Sequence, residues 1–174
     1  MAVAFSPNHR GGSGPPLVLV HGITDTWRTW ELVIPALERR HDVLAVTLAG
    51  HAGGPPLPDE LTDATLADGV EAAMDAAGWG IADIAGNSLG GFIALQLAQR
   101  GRARSVVALA TAGGWPAGDA AEGQTMEYFR TMNELVRGAA PHADMIASTP
   151  EGRRGSTAYI TVNHEHLPAG SSPT

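Results

Sequence analysis

The sequence contains no cysteine, which excludes disulfide staples, thiolate nucleophiles and cysteine-based zinc sites. Aromatic residues are scarce at 5%, and charged residues reach only 17% against 44% hydrophobic, a balance too apolar for a disordered chain. Positive charge is short as well: 11 basic residues face 18 acidic ones, for a net charge of −7. A nucleic-acid backbone calls for clustered Lys and Arg, so nucleic acid is not an expected partner. Long hydrophobic runs are missing. The longest are strand-length, far below the roughly 20 residues that cross a bilayer, so no membrane partner is expected. Met1-Ala2-Val3-Ala4-Phe5 lacks a basic segment followed by an apolar run, which reads as no signal peptide and a cytoplasmic protein. With 174 residues and no internal repeat, the chain has a one-domain length that can bury a core.

What is present is alternation. After the turn-rich stretch Gly11–Pro16, four short apolar runs read as strands: Leu17–Val20, Val43–Thr47, Ile81–Ala85 and Ser105–Ala110. Continuous apolar runs of this kind belong to parallel sheets buried on both faces. Between them lie helical spacings over Trp27–Arg40, with Pro35 set to kink or restart the helix, over Thr65–Ala77, and over Leu89–Arg100. Thr65 with Asp68 has the form of a capping box, Gly78 is a C-terminal stop, and the third helix is apolar almost all round and should be buried. This order predicts an α/β architecture with right-handed crossovers and helices on both sheet faces. Beyond Trp115 strand signals stop. A polar helix over Glu122–Arg137 and then loop-like sequence are expected, giving two regions, 1–114 and 115–174.

The chemistry is concentrated at Gly86-Asn87-Ser88-Leu89-Gly90. Gly-x-Ser-x-Gly alone is a weak signal in a chain with 22 glycines; between a predicted strand and a predicted helix it gains meaning. There the serine stands on a sharp turn at the carboxyl edge of the sheet, with glycines where a side chain would collide. Ser88 is the candidate nucleophile, and a residue that merely caps the helix is the alternative. The N–H of Leu89, at the helix start, is a candidate oxyanion donor. Val18-Leu19-Val20-His21-Gly22-Ile23 ends a central strand at the edge where ligands bind, and the N–H of Ile23 is the second candidate. His21 is read as a structural hydrogen-bonding residue.

Leu19-Val20-His21-Gly22, Trp30, Leu48-Ala49-Gly50-His51-Ala52 and Gly86-Asn87-Ser88-Leu89-Gly90-Gly91 resemble the α/β-hydrolase superfamily in order and spacing, over about residues 15–115. The resemblance implies a three-layer sandwich with a mostly parallel sheet, a cofactor-independent hydrolase, and a helical cap in 115–170. It assigns His51 a structural role, although the family's Asp-x-Pro-Gly-His-Gly stands here as Thr47-Leu48-Ala49-Gly50-His51-Ala52. It also implies an acid and then a histidine after the serine. Asp144 followed by His164 or His166 has that order, but lacks a preceding apolar strand of the expected kind. His164-x-His166 has no convincing third ligand, so no metal site is expected. Members run to roughly 250 residues, so the fold is expected to be incomplete at the C-terminus, with self-association through exposed apolar surface. The functional expectation is esterase-like hydrolysis of a small acyl substrate. Carbon–carbon bond hydrolysis, or a non-catalytic hydrolase-like binding protein inactive through truncation, are the alternatives.

Overall fold

The computed structural model describes residues 6–62, 64–116 and 119–158. Its centre is a five-stranded sheet of β1 (Asn8–Gly12), β2 (Pro16–Val20), β3 (Asp42–Val46), β4 (Ala82–Asn87) and β5 (Ala103–Leu109), in the order β1-β3-β2-β4-β5. β3, β2, β4 and β5 run parallel; β1 pairs antiparallel with β3. The sheet is thus the mostly parallel one expected.

Strand alternation divides the core into two layers. Val18, Val20, Leu44, Val46 and Ile84 face one side, where α2 (Thr65–Ala76) adds Ala67, Val70 and Met74, and α3 (Leu89–Gln99) adds Ile93, Ala94 and Leu97. Leu17, Leu19, Val43 and Ala45 face the other side, against Ile34 of α1 (Ile34–Leu37) and the rings of Trp27 and Trp30. Every strand residue from Val18 to Val20 and from Val43 to Val46 is buried, as a sheet covered on both faces requires.

Several expectations are corrected. A strand not expected from the sequence, β1, precedes the turn-rich stretch and takes in its first two residues, Gly11 and Gly12; it has no apolar pattern. It is held by its ladder to β3 and by polar pairs, Arg10 with Asp42 at 2.9 Å and His9 with Glu38 at 2.7 Å. The helix over Trp27–Arg40 is two pieces, a 3₁₀ turn Trp27–Trp30 and α1, because Pro35 is accepted only in a first turn. Thr65 does not cap α2. Ala64 is the N-cap, and the Thr65 hydroxyl accepts the Thr62 N–H at 2.8 Å instead. The α2 stop falls at Gly78: φ there is +80°, and Gly78 N–H to Asp75 C=O with Trp79 N–H to Met74 C=O closes the helix end. α3 is only half enclosed, leaving Phe92 and Leu95 exposed. β5 is not a buried strand either: Val107 is 54% exposed.

The chain divides between Gly114 and Trp115 into two compact units. The second contains α4 (Ala120–Ala139), a 3₁₀ turn Ala140–His142, α5 (Ala143–Ser148) and α6 (Pro150–Thr157). The last two replace the loop expected after Arg137. Side-chain caps mark the starts of α4 and α6: Asp119 accepts the Ala121 N–H and Thr149 the Gly152 N–H. No residue of these helices is buried.

Candidate active site

β4 delivers Ser88 to the carboxyl edge of the sheet and α3 begins directly after it. The turn between them is too tight for side chains. A Cβ on Gly86 would meet the Gly90 carbonyl, and one on Gly90 would meet the Val20 carbonyl. Ser88 itself has φ +52° and ψ −114°, a conformation that a residue with a side chain adopts only at a cost of about 1–3 kcal/mol. Its backbone is fixed at both ends. The Ser88 N–H donates to the Leu109 carbonyl at 2.8 Å, while the Ser88 carbonyl accepts the Ala112 N–H at 3.0 Å and the Phe92 N–H at 3.2 Å. Thus β5 and the segment after it clamp the elbow.

The hydroxyl is not used in this construction. Ser88 occupies the N-cap position of α3, yet its side chain makes no capping hydrogen bond. A serine retained only as a cap would accept from the first-turn N–H groups. The half-buried side chain is left for other chemistry.

β2 brings the second expected element alongside. A Cβ on Gly22 would lie 3.3 Å from the Ser88 Cβ and 3.1 Å from the Asn87 Oδ1, so the backbone of this loop passes directly over the elbow. Ile23, next along, is half-buried in the turn, and Thr24 has φ +64°. Among the described residues, neither the Ile23 N–H nor the Leu89 N–H is taken by a hydrogen bond. For Leu89 this is the normal state of a first helical residue, where the helix dipole adds positive potential.

His21 is fully buried below this turn. Its Nε2 accepts the Leu48 N–H at 2.9 Å, which leaves Nδ1 to donate to the Gly22 carbonyl at 2.6 Å. Both ring nitrogens are committed. Burial pushes its pKa below the ordinary imidazole value, with the neighbouring His51 adding to this against the Gly22 hydrogen bond and Asp25. His21 is therefore a neutral tie between β2 and the loop after β3. His51 packs edge-on against it, ring centres 4.9 Å apart, with Nδ1 at 3.2 Å from the Ala49 carbonyl. That loop also roofs an uncharged cavity of about 220 Å³ between Thr47, Pro55, Leu66 and Gly69.

Asp144 belongs to the second unit, exposed in the first turn of α5, where its charge suits the helix dipole. His164 and His166 lie outside the described residues. Among the described residues no group of three or more His, Asp or Glu could hold a metal ion, and no helix is long and apolar enough to cross a membrane. The clamp from Leu109 and Ala112 was not legible in the sequence, because it is made by backbone groups that every residue possesses.

The α/β hydrolase fold family model matches residues 15–151. The chain belongs to this family. Over 55 residues it is 54% identical to the epoxide hydrolase EphH of Mycobacterium tuberculosis, covering 32% of this chain and 26% of the relative. Over 111 residues it is 34% identical to the 2-hydroxymuconate semialdehyde hydrolase of Pseudomonas sp. strain CF600, covering 60% and 39%. A solved hydrolase from Pseudomonas aeruginosa superposes with a TM-score of 0.64 at 26% identity, over 90% of this chain and 63% of that one. The chain therefore spans between about a quarter and two thirds of the length of these α/β hydrolases.

Proposed function

We propose that this chain carries the nucleophilic centre of a serine hydrolase acting on a carbonyl substrate, in esterase-like chemistry. The observation that carries this reading is the Ser88 hydroxyl, which stands on a strained turn at the head of α3 and takes no part in capping it. Ser88 attacks the carbonyl carbon. The N–H groups of Leu89 and Ile23 receive the developing oxyanion, a role worth about 3–4 kcal/mol per donor in sites of this type. The tetrahedral species collapses by breaking the C–O bond to the alcohol, which leaves with the proton taken from Ser88; water then attacks the acyl-enzyme ester, releasing the acid and restoring the serine hydroxyl.

The chemistry of serine separates this reading from the epoxide hydrolase that the chain resembles in part. Serine opening an epoxide would leave an alkyl ether, which has no carbonyl for water to attack. Attack on an ester leaves another ester, so the cycle closes. A ketone substrate beside a labile carbon–carbon bond also gives an acyl intermediate, and the similarity to the semialdehyde hydrolase favours including such compounds among the substrates tested.

The hydroxyl proton needs a base, and the bonded state of His21 removes it from consideration. Asp144 followed by His164 or His166 keeps the family's residue order, and these are the candidates for the acid and the base. A fluorophosphonate probe tests the assembly. Labelling of the folded chain is expected, lost in Ser88→Ala and slowed at least about 100-fold in the base variant, the size of a general-base contribution. Folded protein that takes no label would overturn the catalytic reading in favour of a binding protein with a hydrolase-like pocket.

A further inference from the structure

The apolar face of α2 is incomplete. Val70 is buried against the sheet, and Leu66 and Ala73 pack on the same core. Gly69, three residues after Leu66 and four before Ala73, shares this face and brings no side chain to it. A Cβ placed there would meet no atom within 4 Å. The space it would enter is the cavity of about 220 Å³ between α2, the end of β3 and the loop that follows. Val46 and Leu48, both buried, form part of its wall, and the exposed rings of Pro55, Pro56 and Pro58 form its rim. The loop above keeps its own shape. The Gly50 N–H donates to the Pro55 carbonyl at 2.8 Å and the Gly54 N–H to the His51 carbonyl at 2.9 Å. It has no room to sink into the void at Gly54, where a Cβ would already run into the Leu48 carbonyl.

We propose that this cavity binds a small uncharged apolar molecule, the size of a benzene ring with up to about three further carbon atoms. The size follows from proportion: an apolar cavity of about 150 Å³ takes benzene, and this one is about half as large again. The chemistry follows from the walls. No lining residue is charged, and the three with polar side chains have their oxygens committed. The Asn8 Oδ1 accepts the Thr47 N–H at 3.3 Å, the Thr47 hydroxyl accepts the Trp27 N–H at 3.3 Å, and the Thr65 hydroxyl accepts the Thr62 N–H at 2.8 Å. A charged guest would give up its water here and find no counter-ion. Neither Ser88 nor Ile23 lines the cavity, so the proposal does not depend on Ser88 being catalytic.

Isothermal titration calorimetry of the full chain with toluene tests it. One saturable site is expected, with a Kd of about 1 mM or tighter. Benzoate and benzylammonium, which add a charge of either sign to the same ring, should bind at least about tenfold more weakly. Gly69→Leu puts a side chain into the void and should raise the toluene Kd at least about tenfold. Gly69→Met fills it with a more flexible chain and decides the matter if far-UV circular dichroism finds the leucine variant unfolded. A wild-type chain that takes up no toluene, charged rings that bind as well as toluene, or a folded filled variant that binds toluene like wild type would each overturn the proposal.

Discussion

Two glycines inside helices make a direct test of how far local space, rather than residue type, governs this fold. Gly69 lies in the middle of α2 and Gly90 at the start of α3. Intrinsic propensity favours alanine over glycine in a helix interior by about 1 kcal/mol. At Gly69 nothing opposes it, since an added Cβ meets no atom within 4 Å. Gly69→Ala is therefore expected to stabilise the first unit by about 1 kcal/mol. At Gly90 the added Cβ would run into the Val20 carbonyl oxygen and lie 2.7 Å from the His21 carbonyl oxygen. Both atoms belong to the buried end of the central strand and its exit, so relief requires moving the sheet or the helix. Overpacking of this kind costs about 1–3 kcal/mol or more, and the propensity gain offsets only part of it. Gly90→Ala should lose at least about 2 kcal/mol. With urea slopes of about 1–3 kcal/mol per molar, Gly69→Ala raises the unfolding midpoint by about 0.5 M and Gly90→Ala lowers it by about 1 M. Urea titration followed by far-UV circular dichroism reads both. Midpoints that move in the same direction would show that the space around each glycine does not decide its effect.

Ser88→Gly should leave the elbow formed and gain up to about 1 kcal/mol, the relieved strain less the entropy of the unfolded glycine; thermal melts read it, and a clear loss of stability would show that φ +52° carries no strain. The lowered pKa of His21 makes its protonation favour the unfolded state, so stability is full above the unfolded value of about 6.5 and falls as pH drops below it. Denaturation at a series of pH values should show that slope, reduced in His21→Asn. Asp119→Ala should cost α4 about 1 kcal/mol through loss of the hydrogen bond to the Ala121 N–H, read as reduced helical signal on mild heating.

β2 and β3 were legible because burial on both faces leaves continuous apolar runs, and Val18–Val20 and Val43–Val46 have no exposed position to interrupt them. β1 was not, because a strand that contributes hydrogen bonds and ion pairs without an apolar face has no periodicity to read. The break in the first helix was foreshadowed by Pro35, a residue whose geometry acts locally. The failed capping box at Thr65 has the opposite lesson: Thr62 offered the hydroxyl a nearer partner, and the sequence pattern is the same either way. At the site, Ser88 and its glycines could be read because the turn demands them. The Leu109 and Ala112 groups that hold Ser88 could not, nor could the commitment of both His21 nitrogens, which depends on where Leu48 arrives.

Strain and ion pairing are segregated to opposite edges of the sheet. Among the described residues, three non-glycine residues have positive φ, Thr24, Ser88 and Ala110, and each follows the carboxyl end of a strand: β2, β4 and β5. The ion pairs around β4 and β5 gather at the other edge. Arg100 reaches Asp68 and Glu71 at 2.7 Å, Arg102 pairs with Asp75, and Arg104 pairs with Asp83. These are exposed or half-exposed pairs that add little stability each, and their value lies in fixing α2, α3 and β5 in register. That register is what the carboxyl edge needs. The Leu109 carbonyl can hold the Ser88 N–H only while β5 keeps its place beside β4, and a slip of one residue would turn that carbonyl away. The polar edge thus stabilises the alignment on which the strained elbow rests, although no residue in it comes near the serine hydroxyl.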